Sequence, residues 1–326
     1  MGSSDQNLKL YILDLKTGTL LRTIDTGLKN AFAGSLVNAS IDTDRWNPGF
    51  KGNYQDNVIY IGYTQMSGGS WVGGVLRLTT GGSNGEDSNV NNWILSPNPV
   101  ITVPGAVTSS ISHLQDKTNH NLWLYFGTGR YFYKMGSTID DATTPQAIYG
   151  IKDKCYSDAA VPQDTFDMTC TSSVSASGLA NATTSPPASE PGTGWFISLS
   201  PSVSTYMAER VITNPLAAYT GAVFFTTFEP STSACGFSGS TYMWAVNYST
   251  GGSAPASALQ GTAVLQVSTG QVAQIYMPNE FTMNTPSGST QGRTGLIGSG
   301  APPKGQGLSV VISPRPVKKI LHMQEK

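Results

Sequence analysis

The feature that most constrains the fold is a recurring segment, a short apolar strand that ends in a Thr-Gly turn. Clear copies occur at residues 10–18 (LYILDLKTG), 75–82 (VLRLTTGG) and 242–251 (YMWAVNYSTG), and a weaker copy occurs at 264–270 (VLQVSTG). Such runs are typical of half-buried or core β-strands, and the glycine supplies the positive φ that a tight turn requires. Repeated strands of this kind indicate a β-propeller, whose blades are small antiparallel sheets.

The 326 residues accommodate roughly four to five blades of about 40–45 residues each. A closed propeller of the usual size therefore needs blades from another segment or another chain. We predict an all-β propeller over residues 1–313 that this chain fills only in part, and its repeat resembles that of quinoproteins, which implies a quinoprotein-like propeller. Polar insertions are expected at about 81–92, 172–194 and 279–307, the second as an exposed, mobile loop. A last strand is predicted at 308–312, followed by a basic tail at 314–326.

The composition favours an extracytoplasmic protein. Only 12% of the residues are charged, about half of the usual share, and hydroxyl and amide side chains supply the polar surface instead. The net charge of −1 gives no attraction to nucleic acid or acidic lipid. No apolar run is long enough to span a membrane, and residues 1–5 lack the features of an export signal. We expect a fragment or a processed product of an exported protein.

The three cysteines are Cys155, Cys170 and Cys235. The first two flank a polar, Asp-rich loop, and we predict that a disulfide closes it; two unrelated buried thiols are the alternative. Such a bond would stabilise the fold by roughly 3 kcal/mol in the chain-entropy model. Cys235 is then unpaired, or its partner lies outside this sequence.

Several motifs, in order, resemble the PilY-type family, large surface proteins of bacteria with type IV pili. They are residues 123–133 (WLYFGTGRYFY), 148–153 (IYGIKD), 194–199 (GWFISL), 209–215 (ERVITNP) and 223–230 (VFFTTFEP), the last followed by Cys235 and the strand from Ser240. The resemblance covers most of residues 8–313, and the shared order makes it more specific than any one motif. The large amino-terminal region of the family is missing.

The resemblance implies a role in pilus assembly, pilus stabilisation and surface adhesion, at the pilus, the cell surface, the outer membrane or in the periplasm. The implied partners are pilin or minor pilins, or the upstream part of the propeller on the same or another chain. Because an unpaired strand is a template for added strands, we predict that Leu10, Tyr11, Ile12 and Leu13 form a contact segment.

The resemblance also implies a calcium site, because the family often carries alternate Asp residues before a strand. Carboxylate and amide oxygens suit Ca²⁺, and the candidate ligands are Asp42, Asp44, Asn47 and Asp56. An insertion at 46–55 separates the two acidic groups, and Tyr63 replaces the Asp that follows Gly62 in the family pattern. The alternative is a solvated hairpin loop with Asp turn caps. Adjacent Asp140 and Asp141 form a weaker candidate site.

The sequence favours binding over catalysis. Only His113, His120 and His322 could act as bases near neutral pH, and no hydrolase, zinc-protease or nucleotide motif occurs. We predict that Arg130 has a structural role, pairing with Asp153 or stacking on Tyr131 or Tyr149; a ligand-binding role is the alternative. Two alternatives stay open: a fragment of a quinone-dependent dehydrogenase, and a sugar-binding propeller, which the 31 aromatic residues (6 Trp, 14 Tyr, 11 Phe) suggest.

Overall fold

The structure is a computed structural model of an all-β protein. It describes the residues 7–44, 55–82, 85–116, 118–131, 134–135, 138–139, 141–157, 165–232, 239–278, 281 and 302–312. The tail at 314–326 and Cys235, Asn47 and Asp140 lie outside the described residues.

The strands are short and follow one another closely. The first group comprises β1 (Asn7–Leu13), β2 (Leu20–Lys29), β3 (Ala31–Ala33), β4 (Ser40–Ile41), β5 (Val58–Ser67), β6 (Ser70–Thr79), β7 (Gly81–Gly82), β8 (Gly85–Glu86), β9 (Ile94–Leu95) and β10 (Ile101–Pro104). The second group comprises β11 (Ser112–Asp116), β12 (Asn121–Gly127), β13 (Lys134–Met135), β14 (Thr138–Ile139), β15 (Ala147–Lys152), β16 (Tyr156–Ser157), β17 (Thr165–Phe166), β18 (Ala180–Asn181) and β19 (Gly194–Ser198).

The third group comprises β20 (Arg210–Val211), β21 (Leu216–Ala218), β22 (Ala222–Pro230), β23 (Gly239–Asn247), β24 (Gly261–Val267), β25 (Val272–Tyr276) and β26 (Pro303–Ile312). Short 3-10 helices lie at Val90–Asn92, Ala176–Gly178 and Ala256–Leu259.

These strands form a leading hairpin, β1–β2, and four larger sheets in chain order. The first sheet has the order β10-β6-β5-β3, with β4 paired to β5 and β9 to β6. The second sheet has the order β11-β12-β15-β19-β18, in which only β18 and β19 run parallel. The third sheet is β20-β22-β21 with β23 on β22, and the fourth is β25-β24-β26.

Consecutive sheets pack face to face, as propeller blades do, and each gap holds one apolar core. Alternation along β12 shows the arrangement, because successive side chains of a strand point to opposite faces. Leu122, Leu124 and Phe126 join the core shared with the first sheet, whereas Trp123 and Tyr125 join the core shared with the third sheet. Further cores lie between the third and fourth sheets and between the hairpin and the first sheet. A strand buried on both faces explains why residues 122–126 are continuously apolar.

The turn chemistry follows the sequence. Gly68 and Gly69 link β5 to β6 with φ angles of 58° and 81°, the conformation that a two-residue hairpin needs at both positions. The Thr-Gly turn after β1 has Gly18 at φ 70°, and the equivalent turn after β23 has Gly251 at φ 69°.

Two local predictions are corrected. The 172–194 segment is not a wholly exposed loop, because Val174, Leu179 and Ala182 are buried in the cores on either side of the second sheet. These apolar residues are isolated among Ser, Thr and Pro, so the composition concealed them. The last strand begins at Pro303 instead of residue 308, and it pairs with β24.

Candidate functional site

A buried ion pair joins the first two sheets. Arg77 on β6 is fully buried, and its Nη1 lies 2.7 Å from Oδ1 of Asp153, which follows β15. The Tyr60 hydroxyl donates to Asp153 Oδ2 at 2.6 Å. Burial, followed by the charge of Asp153, raises the pKa of Tyr60 well above its ordinary value, so the phenol stays protonated as the donor. Both members of the ion pair make further hydrogen bonds, which buried charges require.

The disulfide-closed loop covers this ion pair. The predicted Cys155–Cys170 bond is confirmed, with the two Cα atoms 5.5 Å apart. Arg77 Nη2 donates to the carbonyls of Cys170 (3.0 Å) and Ser172 (3.1 Å), and the Cys155 amide donates to Asp153 Oδ1 at 2.8 Å. The disulfide fits an oxidising, extracytoplasmic compartment.

Arg130 lies elsewhere than predicted. Asp153 is paired with Arg77, so the predicted pairing of Arg130 with Asp153 is wrong. The Arg130 guanidinium carbon lies 3.9 Å from the ring centroid of Trp71, and its Nε lies 3.7 Å from Asp141 Oδ2. The side chain therefore links the second sheet to β6 of the first through a cation–π contact, which is a structural role. Asp141 belongs to the weaker candidate metal site, and its carboxylate pairs with Arg130.

A cluster of carboxylates lies at the end of β4. Asp44 is only 7% exposed, and Oδ1 of Asp44 and Oδ1 of Asp42 are buried without a hydrogen-bond partner in the described part of the chain. Burial raises the pKa of Asp44 to about 7, and a hydrogen bond with Asp42 and the charges of Glu86 and Asp42 add to the shift. Two buried oxygens next to further negative charge are an arrangement that a cation would relieve.

Asn57 ties this cluster together. Its Oδ1 accepts hydrogen bonds from the amide and the hydroxyl of Thr43, the latter at 2.7 Å, and its Nδ2 donates to Glu86 Oε1. Glu86 lies on β8, within the polar insertion predicted at 81–92. The sequence places Asn57 in the same polar stretch but puts neither residue among the candidate ligands, because neither belongs to the alternating Asp pattern and Glu86 is 42 positions from Asp44 along the chain.

The structure brings together only part of the predicted calcium site. Asp42 and Asp44 are neighbours, whereas Asp56 lines an adjacent cavity of about 340 Å³ that Glu86 and Asp87 also line. Asn47 falls outside the described residues. Among the residues that the structure describes, no group of three or more His, Cys, Asp or Glu is placed so that it could hold a metal ion.

The leading hairpin has an inner and an outer face. Leu8 and Ile24 are buried against the first sheet, and Leu10 and Ile12 of the predicted contact segment are half-buried in the same core. Tyr11 is 63% exposed and Leu13 is 55% exposed. We define the outer hairpin face by the large apolar side chains that the hairpin and its turn expose, which are Tyr11, Leu13, Leu15, Leu20 and Leu21.

The register explains this division. Leu13 pairs directly with Leu20, and Tyr11 with Thr23, so these side chains share one side of the hairpin. Neither strand pairs with a third strand within the described ranges. Half of the predicted segment therefore belongs to the core, and the other half belongs to an exposed apolar face with unpaired strand edges.

No protein-family model matches the chain. No curated protein matches it either. Among solved structures, the crystal structure of the Pseudomonas aeruginosa PilY1 C-terminal domain is similar, with a TM-score of 0.57 and 16% sequence identity. The similarity covers 94% of this chain and 66% of that domain, so the chain spans about two thirds of its length. The predicted resemblance and the propeller-like fold are confirmed.

In the described part of the chain, no helix has the length and apolar character needed to cross a membrane.

Proposed function

We propose that this chain is a binding protein of type IV pilus assembly, stabilisation and surface attachment, and that a pilin subunit is its partner. The observation that carries the proposal is the match in fold to the PilY1 C-terminal domain over 94% of the chain. The ordered family motifs in the sequence support it. We place the protein at the pilus or the cell surface, in agreement with the disulfide.

The outer hairpin face is the proposed contact surface. It concentrates five large exposed apolar side chains in one hairpin, and exposed apolar patches mark interaction sites. The unpaired edges of β1 and β2 offer backbone groups to which a strand of the partner can add.

Binding of the purified chain to purified major and minor pilins tests this proposal. We expect the double substitution Tyr11→Ser and Leu13→Ser to weaken pilin binding by at least about tenfold, which corresponds to about 1.4 kcal/mol. The matched control is Val272→Ser with Tyr276→Ser, because these two side chains are similarly exposed on β25. Absence of pilin binding by the unmodified chain would refute the function, whereas equal loss in both double variants would refute only the surface.

We further propose that Ca²⁺ binds at Asp42 and Asp44, where the nearby charge of Glu86 adds to the negative potential. The support is the pair of unpartnered, buried carboxylate oxygens beside a third carboxylate, since Ca²⁺ takes oxygen ligands from carboxylates. Calorimetric titration with CaCl₂ after chelation should give a stoichiometric site that Asp44→Asn removes and Glu86→Gln weakens. Asp87→Asn is the control, because its side chain caps the turn at Asn89 and Asn92 instead. Identical titrations for Asp44→Asn and the unmodified chain would exclude this site.

The proposal is of a binding protein and not of an enzyme. Buried hydrogen bonds such as Tyr60 to Asp153 and Thr43 to Asn57 connect strands and sheets to one another. Incubation with pyrroloquinoline quinone and Ca²⁺ should give no dye-linked alcohol oxidation. Turnover above the quinone blank would favour the dehydrogenase alternative.

A further inference from the structure

Edge regions of four sheets surround one cavity of about 540 Å³. Residues 37–40 lead into β4 of the first sheet, and Ser112 and His113 lie on β11, an edge strand of the second. Residues 214–217 lead into and begin β21 of the third sheet, and Leu308 lies on β26, an edge strand of the fourth. The cavity volume is in the range of small-molecule binding sites. Such sites occur preferentially where several structural elements meet.

The lining selects against charged ligands. Among the described residues that line the cavity, none is Asp, Glu, Lys or Arg. A ligand with a phosphate, carboxylate or ammonium group would lose its hydration here without gaining a counter-charge. The ligand class that fits is therefore neutral.

The polar groups of the cavity include both donors and acceptors. Asn214 accepts from the Ser110 amide through Oδ1 at 2.8 Å, and within the described chain its Nδ2 has no hydrogen-bond partner. The side chain of Asn38 is exposed and likewise makes no hydrogen bond to a described residue. His113 Nε2 lies 3.1 Å from the Ser40 carbonyl. Because a carbonyl only accepts, Nε2 carries a proton and donates it to this carbonyl.

An aromatic ring stands at the rim. Tyr219 is 79% exposed, and Val37 and Leu216 extend the apolar wall beside it. A ring that is exposed on this scale offers a flat apolar surface with a polar hydroxyl at its end.

We propose that this cavity binds a neutral saccharide of about two sugar units, judged from its volume. Sugar hydroxyls both donate and accept, so they match side-chain amides and hydroxyls, while the C–H face of a pyranose stacks on an aromatic ring. Asn38 and Asn214 supply the polar contacts, and Tyr219 supplies the stacking surface. This site is distinct from the outer hairpin face, and the inference does not depend on the proposed pilin binding.

The test is saturation-transfer difference NMR on the full chain with four neutral disaccharides: maltose, cellobiose, lactose and diacetylchitobiose. We expect transfer to at least one of them, with strongest transfer to protons on one face of a ring. Tyr219→Ala and Asn38→Asp should each weaken binding by at least about tenfold. Asp is chosen because Asn38 has a φ of 52°, and Asp also tolerates this left-handed conformation.

Tyr276→Ala is the matched control, because this tyrosine is 55% exposed on β25 and does not line the cavity. Unchanged binding by Tyr276→Ala, together with loss in the two cavity variants, supports the site. Silence of all four sugars would overturn the inference, and so would sugar binding that neither cavity variant affects. Binding of a strand-forming peptide that Tyr219→Ala removes, without any sugar binding, would overturn the ligand class.

Discussion

The two faces of the first sheet are covered in opposite ways. On one face, Tyr60 and Arg77 reach across to Asp153 and to the disulfide-closed loop, so charge and hydrogen bonds both cross the interface. On the other face, Ile61, Leu76 and Leu78 share an apolar core with the inner side of the leading hairpin, whose own outer side is open. The directional polar contacts allow the first sheet to pack against the second sheet in one geometry. The hairpin, in contrast, packs on the first sheet through apolar side chains and leaves its own outer face exposed.

The largest expected effect is removal of one half of the ion pair. Asp153→Asn leaves the Arg77 charge buried without a counter-charge and should destabilise the fold by about 3–5 kcal/mol in urea unfolding. Glu190→Gln is the control, because Glu190 pairs with Lys152 in a bridge that keeps some solvent exposure, so its loss should cost less than that of the fully buried pair. Equal effects of the two substitutions would show that the polar interface is no stronger than a surface bridge.

Loss of the disulfide should have the next largest effect. Cys155→Ser with Cys170→Ser removes the constraint on a loop of 15 residues and should lower the free energy of unfolding by about 3 kcal/mol. Addition of dithiothreitol to the unmodified chain should shift its urea midpoint in the same direction and leave the double variant unchanged. A shift of similar size in the double variant would show that the thiol reagent acts elsewhere.

The inner face of the hairpin should behave as ordinary core. Ile24→Val should cost about 1 kcal/mol, as the loss of one buried methylene usually does. Ile148→Val in the second sheet is the comparison, since both side chains are buried. A cost near zero for Ile24→Val, with a normal cost for Ile148→Val, would mean that the hairpin is only loosely attached to the first sheet.

The outer hairpin face should matter least for stability. Tyr11→Ser with Leu13→Ser should change the free energy of unfolding by less than about 0.5 kcal/mol per site, because exposed substitutions usually do. The same urea experiment measures this change. A loss comparable to that of Ile24→Val would show that the face is already buried in solution by self-association.

The sequence predicts what depends on local chemistry. The Thr-Gly turns at Gly18 and Gly251 and the Cys155–Cys170 bond follow from glycine conformation and cysteine placement, and the structure confirms all of them. The partner of Asp153 could not be predicted in this way. Arg77 lies within a Thr-Gly strand that looks like the other copies, and nothing near it indicates a partner 76 positions away.

The candidate calcium cluster shows the same limit. Asp42 and Asp44 are visible as an alternating pair, but Asn57 and Glu86 join them only because β5 and the β7–β8 hairpin converge there. An insertion that reads as a solvated loop thus supplies a side chain to a buried cluster. The composition of the segment gives only its average polarity, whereas its role in this cluster depends on one residue, Glu86.

The buried arginine also bears on how such a domain can evolve. If the blades were interchangeable units, a duplication or exchange of the first sheet would carry Arg77 into a new apolar gap with no Asp153 opposite. The uncompensated charge would disfavour that product. The first two sheets are therefore expected to be inherited as one indivisible piece, even though the strand pattern along the chain looks modular.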